Sequence, residues 1–169
     1  MRCLSTPGMV TCAAMKTVLA PVDLSSAAAD VVSEAGALAG NVGAKVLLLH
    51  VVAPPAVINE YAAESERLAE EETLEAERSL ERWRERLKGL GMEVEANVLH
   101  GPPVATILEE AARTNAKYIV MGSHGHGALY NLFVGGTAGG VIHRAPCPVV
   151  IVPGAKTAAR VSPSNRKSA

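Results

Sequence analysis

Lys45-Val46-Leu47-Leu48-Leu49-His50-Val51-Val52 is the stretch on which the fold turns. Apart from its leading lysine and His50 it is apolar at every position. A strand with one wet face alternates polar and apolar residues. A continuous run of this length, closed by Ala53-Pro54-Pro55, reads instead as a strand buried on both faces, as in a parallel sheet covered by helices. Three other runs share that character: Thr17 to Val22 ending at Asp23, Lys117 to Met121, and Val149 to Val152 between Pro148 and Pro153. Glu93-Val94-Glu95-Ala96-Asn97-Val98-Leu99 alternates, which suits an edge of the sheet.

Helical segments fill the intervals. Ala27 to Ala39 places Val31, Val32, Ala35, Leu38 and Ala39 at three- and four-residue spacing, with Ser25 or Ser26 available as a cap and Gly40 and Gly43 to stop it. Tyr61 to Lys88 reads as a long amphipathic helix, with Leu68, Ala69, Ala76, Leu80, Trp83 and Leu87 recurring every three to four residues, or twice that. Its charges read as a solvated face, with Glu81 and Glu85 set against Arg82 and Arg86. Pro103 opens a third helix carrying Val104, Ile107, Leu108 and Ala111, and a fourth runs from about Thr137 to Arg144. Strands and helices therefore alternate, and the expected fold is α/β: a single-domain, open, five-stranded parallel sheet with helices on both faces, Rossmann-like. Residues 15–153 form the expected domain, residues 1–14 a mobile extension or an upstream start, and residues 154–169 a disordered basic tail.

Composition excludes several function classes. The 169-residue chain is 49% apolar and 20% charged with a formal net charge of −1, the opposite of a disordered composition. No apolar run approaches the ~18 residues of a membrane helix, and residues 1–14 lack the apolar core of a secretory signal, so the cytoplasm is expected and a membrane role is not. Sixteen basic against seventeen acidic residues, with 3% aromatics, leave neither a basic footprint nor a stacking platform, which makes nucleic acid an unfavoured partner. Cys3, Cys12 and Cys147 form no closely spaced framework and read as free thiols.

In an open parallel sheet, ligands bind beyond the carboxyl ends of the strands. Those ends carry Asp23, His50-Val51, His100-Gly101-Pro102, and Gly122-Ser123-His124-Gly125-His126-Gly127. Glycines in the last of these bare a loop so that its amides can approach an anion. Nine residues after Gly125, Gly135-Gly136-Thr137 opens the last helix, where unpaired amides also favour phosphate.

Gly122-x-x-Gly125, nine residues and then Gly135 resembles the nucleotide-binding signature of the ATP-binding branch of the universal stress protein family. Pro21-Val22-Asp23, Leu48-Leu49-His50-Val51, Met121-Gly122-Ser123-His124-Gly125 and Ala145-Pro146-Cys147-Pro148 followed by Val149 to Val152 resemble its landmarks in order. The resemblance covers about Met15 to Val152. It implies an adenine nucleotide alpha hydrolase-like fold and an ATP-binding regulatory module in stress response, with ADP or AMP as alternative nucleotides and with or without Mg²⁺. It further implies that Asp23, with Pro21 and Val22 beside it, and the backbone at Val51 hold adenine and ribose. Gly122 and Gly125, with Met121 beside them, would wrap ribose and phosphates, and Gly135, Gly136 and Thr137 would present amides to the outer phosphates. Where the family pattern has a hydroxyl residue after its last glycine, this chain has Gly136, with Thr137 one position later. The amide contacts survive that change and the side-chain hydrogen bond does not, a loss of about 1.5–3 kcal/mol. The resemblance also implies a homodimer through the Val149–Val152 strand, alongside protein partners of unknown kind.

Other readings stay open at this level. The glycine set also suits a tight connection without ligand, Gly139-Gly140 suits close packing of the last helix on the sheet, and Asp23 suits a helix cap. His124 and His126 suit donation to phosphate better than a metal site with His143 and Cys147, because no pair has ligand spacing with a third partner. A Gly-His-Gly-His string is similar to the phosphate-binding motif of nucleotidylyltransferases, but here it follows the fourth strand rather than the first. No lysine phosphate loop and no nucleophile turn is present, so no dedicated catalysis and no catalytic residue is expected, at most slow ATP hydrolysis. The runner-up is a nucleotide-free interaction or scaffold protein of the same fold.

Overall fold

A computed structural model describes residues 15–54, 62–123 and 135–153. The expected extension at 1–14, the basic tail at 154–169, and His124, Gly125 and His126 lie outside the described residues. The elements run β1 (Lys16–Pro21), α1 (Ala28–Val42), β2 (Ala44–Val52), α2 (Ala62–Gly89), β3 (Val94–His100), α3 (Pro103–Arg113), β4 (Ala116–Gly122), α4 (Gly136–Ile142) and β5 (Val149–Val152). All strand pairs are parallel, in the order β3-β2-β1-β4-β5, so the alternating strand lies at one edge as its pattern required. These are the first five strands of the Rossmann order.

Alternate residues of the buried strands feed two cores. Val18, Ala20, Val46, Leu48 and Val120 pack with Val31, Val32 and Ala35 of α1 and Ala76, Leu80 and Leu87 of α2. Leu19, Leu47, Leu49, Ile119 and Met121 pack with Ile107 and Ala111 of α3 and Ala138 and Val141 of α4. Helices α1 and α2 thus cover one face and α3 and α4 the other, which is why β2 had to be apolar throughout.

Local details depart from the sequence reading in four places. Neither Ser25 nor Ser26 caps α1: its N-cap is Ala27, without a side-chain cap bond. Ser25 Oγ instead accepts from the Ala27 amide at 3.3 Å, one turn too early. On α2, Glu81 and Glu85 are engaged by Arg84, at 2.6 and 3.5 Å, while Arg82 donates to Ser79 Oγ. Gly140 packs on α3 and not on the sheet, for a Cβ there would lie 2.9 Å from Val104 Cγ2. A Cβ on Gly139 would meet nothing within 4 Å, so no close packing requires that glycine.

One charge is buried far from the strand ends. Glu110 on α3, its side chain 5% exposed, accepts from Arg113 Nε at 2.7 Å and Nη2 at 2.6 Å, with Asn97 Nδ2 at 3.5 Å. The Arg113 hydrogen bonds hold the Glu110 carboxyl below the ordinary glutamate value, against burial, which raises it. A carboxyl lowered in the folded state adds stability above its unfolded value and loses it as pH falls through the folded one. Arg113→Leu should therefore lower the melting temperature at neutral pH. The difference from the parent should close as pH falls from the ordinary glutamate value through the lowered folded one and both unfolded and folded carboxyls protonate. A difference independent of pH in thermal melts would show that Arg113 contributes by packing alone.

Candidate functional site

The crevice forms where the winding reverses, between β1 and β4. The β1–β2 ladder runs through Pro21↔Leu49 and the β4–β5 ladder through Gly122↔Val152, but β1–β4 pairing ends at Leu19↔Ile119. Proline explains the early stop. The Val22 amide donates to Leu49 O of β2 at 2.8 Å, and successive N–H groups of a strand point to opposite sides, so the ring nitrogen of Pro21 faces β4. It has no hydrogen to donate, and the ladder cannot continue there.

A cavity of about 390 Å³ occupies the gap. It lies within the ~300–1,000 Å³ range of small-molecule sites. Pro21, Val22, Asp23, Val51, Met121, Gly122, Gly135, Gly136 and Thr137 all line it. The structure thus gathers residues from four separate segments at one opening. His124, Gly125 and His126, the remaining residues singled out from the sequence, lie outside the described residues.

Each wall has a local cause. After β1, Leu24 takes a φ of 60°, which turns the chain so that the Ser25 amide donates to Asp23 Oδ1 at 3.1 Å. On the other side, Gly135 N donates to Ser123 O at 2.9 Å, and Ser123 N donates to Val152 O at 2.9 Å. The first bond joins the end of β4 to the start of α4, so the two glycine-bearing segments meet, and the second holds that end against β5. In α4 the first intrahelical donor is Gly139 N, to Gly135 O at 2.8 Å, so the amides of Gly136, Thr137 and Ala138 have no acceptor within the helix.

Several lining residues escaped the sequence reading. Ala27 and Val31 of α1 and Pro103 and Ile107 of α3 give the cavity apolar walls. Their apolar pattern had marked them as core, and nothing local distinguishes a core position from the lip of a cavity. His50 was visible at a strand end, but its role was not. Buried at 4% exposure, it bonds through Nδ1 to Val22 O at 2.8 Å, and its Nε2 lies 3.4 Å from Glu72 Oε1 of α2. Among the described residues the lining contains no lysine or arginine, so an anion there would meet backbone amides rather than a fixed cation from them. Cys147 is partly buried and its thiol is pushed up by that burial, away from the reactive thiolate. Among the described residues no three His, Cys, Asp or Glu side chains are grouped to hold a metal ion, and no helix is long and apolar enough to cross a membrane.

A parallel sheet in the order β3-β2-β1-β4-β5, with a largely apolar crevice at its reversal point, defines a Rossmann-like protein with a cavity at the strand ends, where proteins of this fold class bind ligands. The universal stress protein family profile matches residues 15–153. A universal stress protein of Thermus aquaticus is 36% identical over 140 residues, covering 81% of this chain and 98% of that protein. The chain belongs to the universal stress protein family. Among solved structures, universal stress protein UspA from Lactobacillus plantarum superposes with a TM-score of 0.74 at 25% identity, over 83% of this chain and 99% of that one. A universal stress protein crystallised in complex with cAMP matches with a TM-score of 0.63 at 25% identity, over 83% of this chain and 98% of that one.

Proposed function

We propose that this chain is an adenine nucleotide-binding regulatory module of the cytoplasm, taking ATP, or ADP or AMP in its place, in the cavity between β1 and β4. The observation that carries this reading is the convergence of Asp23, Val51, Gly122, Gly135, Gly136 and Thr137 on one cavity of ligand size. Their chemistry suits the ligand part by part. A carboxylate at Asp23 accepts from ribose hydroxyls or an amino group, and the backbone of Val51 offers an amide and a carbonyl to a base edge. The amides at the start of α4 suit phosphate oxygens, and Ile107, Val31 and Pro103 suit the faces of a base. A family relative crystallised with cAMP supports the same class of ligand. Mg²⁺, where a triphosphate carries it, would arrive on the phosphates, because the lining offers it a single carboxylate, Asp23. No residue is assigned to catalysis.

Heating the purified protein and chromatographing the supernatant tests this directly, and adenine nucleotide is the expected product. Absence of nucleotide, together with no thermal shift at millimolar Mg-ATP or AMP, would overturn the reading and favour a nucleotide-free scaffold.

The same proposal includes a homodimer through β5. That strand is an edge of the sheet, and Val150 on it is 38% exposed. An edge with unpaired amides and apolar side chains invites pairing across a two-fold axis. Light scattering at micromolar concentration should give twice the chain mass for the parent and the chain mass for Val150→Glu. A monomeric parent would remove the dimer from the proposal.

A further inference from the structure

The residue before Asp23 is held from both of its backbone groups by two consecutive residues of β2. Val22 N donates to Leu49 O at 2.8 Å, and Val22 O accepts from His50 Nδ1 at 2.8 Å. A carbonyl can only accept, so Nδ1 carries the ring hydrogen. The second bond is not part of the sheet ladder, which ends at Pro21↔Leu49. It is made by a side chain folded back along its own strand, in a ring that is 4% exposed and lines the cavity. Immediately afterwards the chain leaves the sheet through Leu24 at φ 60°, a left-handed conformation that a leucine rarely adopts and that needs support from its surroundings. That turn is what brings the Ser25 amide to Asp23 Oδ1. Past Leu19 the β1 backbone has no ladder partner in β4, and Val22 makes its backbone bonds to β2.

We propose that His50 is the positioning residue of this cavity: its Nδ1 bond to the Val22 carbonyl sets the backbone that presents Asp23 to the ligand. The inference rests on the nucleotide reading for its effect on affinity, but its effect on the backbone exists without any ligand.

The test uses His50→Leu, which removes the donor, and His50→Asn, whose side-chain amide nitrogen can reach the place of Nδ1. Amide hydrogen exchange of the ligand-free protein should quicken at residues 22–25 by tenfold or more in His50→Leu and return within about threefold of the parent in His50→Asn. Exchange in β5, across the sheet, should stay unchanged in both. AMP or ATP affinity, by calorimetry, should fall about tenfold in His50→Leu and recover in His50→Asn. If His50→Leu does not fold, His50→Gln, which puts its amide at the Nε2 end, replaces it with the same expectation. Unaltered exchange at 22–25, a rise spread equally into β5, or no rescue by asparagine would each overturn the positioning role. A parent that binds no adenine nucleotide sinks the functional reading alone, since the exchange measurement still decides the role of His50.

Discussion

Gly136→Ser should tighten adenine nucleotide binding by about ten- to a hundredfold. The family pattern has a hydroxyl at this position, and a hydrogen bond to a charged phosphate oxygen contributes about 1.5–3 kcal/mol, with about 1.4 kcal/mol for each factor of ten. The structure shows that the change is sterically open. A Cβ on Gly136 would meet no heavy atom within 4 Å, and the backbone there is not in the left-handed region. Stability should hold or rise slightly, because a glycine inside a helix costs roughly 0.5–1 kcal/mol relative to alanine. Calorimetric titration of parent and variant with ATP checks the prediction. An unchanged affinity would mean that Thr137 already supplies the hydroxyl from one position later, and Thr137→Val would then lose binding in its place. Weakened binding would mean that the ligand backbone lies against Gly136 itself.

The largest stability effect should come from truncating β2 at its centre. Leu47 and Leu48 are both fully buried and belong to different cores, one facing α3 and α4, the other α1 and α2. Leu→Ala at either should cost about 2–5 kcal/mol, from lost burial and the cavity left behind. In a domain of this size that corresponds to a melting temperature lower by on the order of 5–20 °C. Urea unfolding should show a lower midpoint with little change in slope, as expected when the exposed surface is unaltered. A cost below about 1 kcal/mol at either position would contradict a β2 covered equally on both faces.

Much of the fold was legible because the signals are local. The unbroken apolar run of β2 announces burial on two faces, and the alternation of Glu93 to Leu99 announces an edge. Gly43, Gly89 and Gly91 mark where helices stop, whereas α1 runs on through Gly40 to its cap at Gly43. Asp23 and Gly122 were legible as lining of the cavity for a topological reason, since each lies at the carboxyl end of a buried strand of an alternating α/β chain, where crevices of open sheets form. Thr137 and Gly135 came from the glycine spacing and the start of a helix. The errors also have a common cause. Ser25, Ser26, Arg82 and Gly139 each had a plausible partner by spacing. A helix that begins one residue later, or an arginine rotated to Ser79, reassigns the bond without altering the spacing.

By itself the sequence determined the kinds of element, their order, the parallel sheet and the strand ends that could carry chemistry. Hydrophobic period and turn residues are properties of neighbours along the chain, and they survive in any environment. Tertiary structure alone decided how far β1 follows β4, which helices share a face, and what holds the end of β1. The bond from His50 to Val22 spans 28 residues, and the bond from Gly135 to Ser123 closes across a segment outside the described residues. Such contacts depend on where two distant backbones come to rest, and no residue announces them in advance. The cavity belongs to the same class: Pro21 lacks one hydrogen, but only beside β4 does that missing donor become an opening.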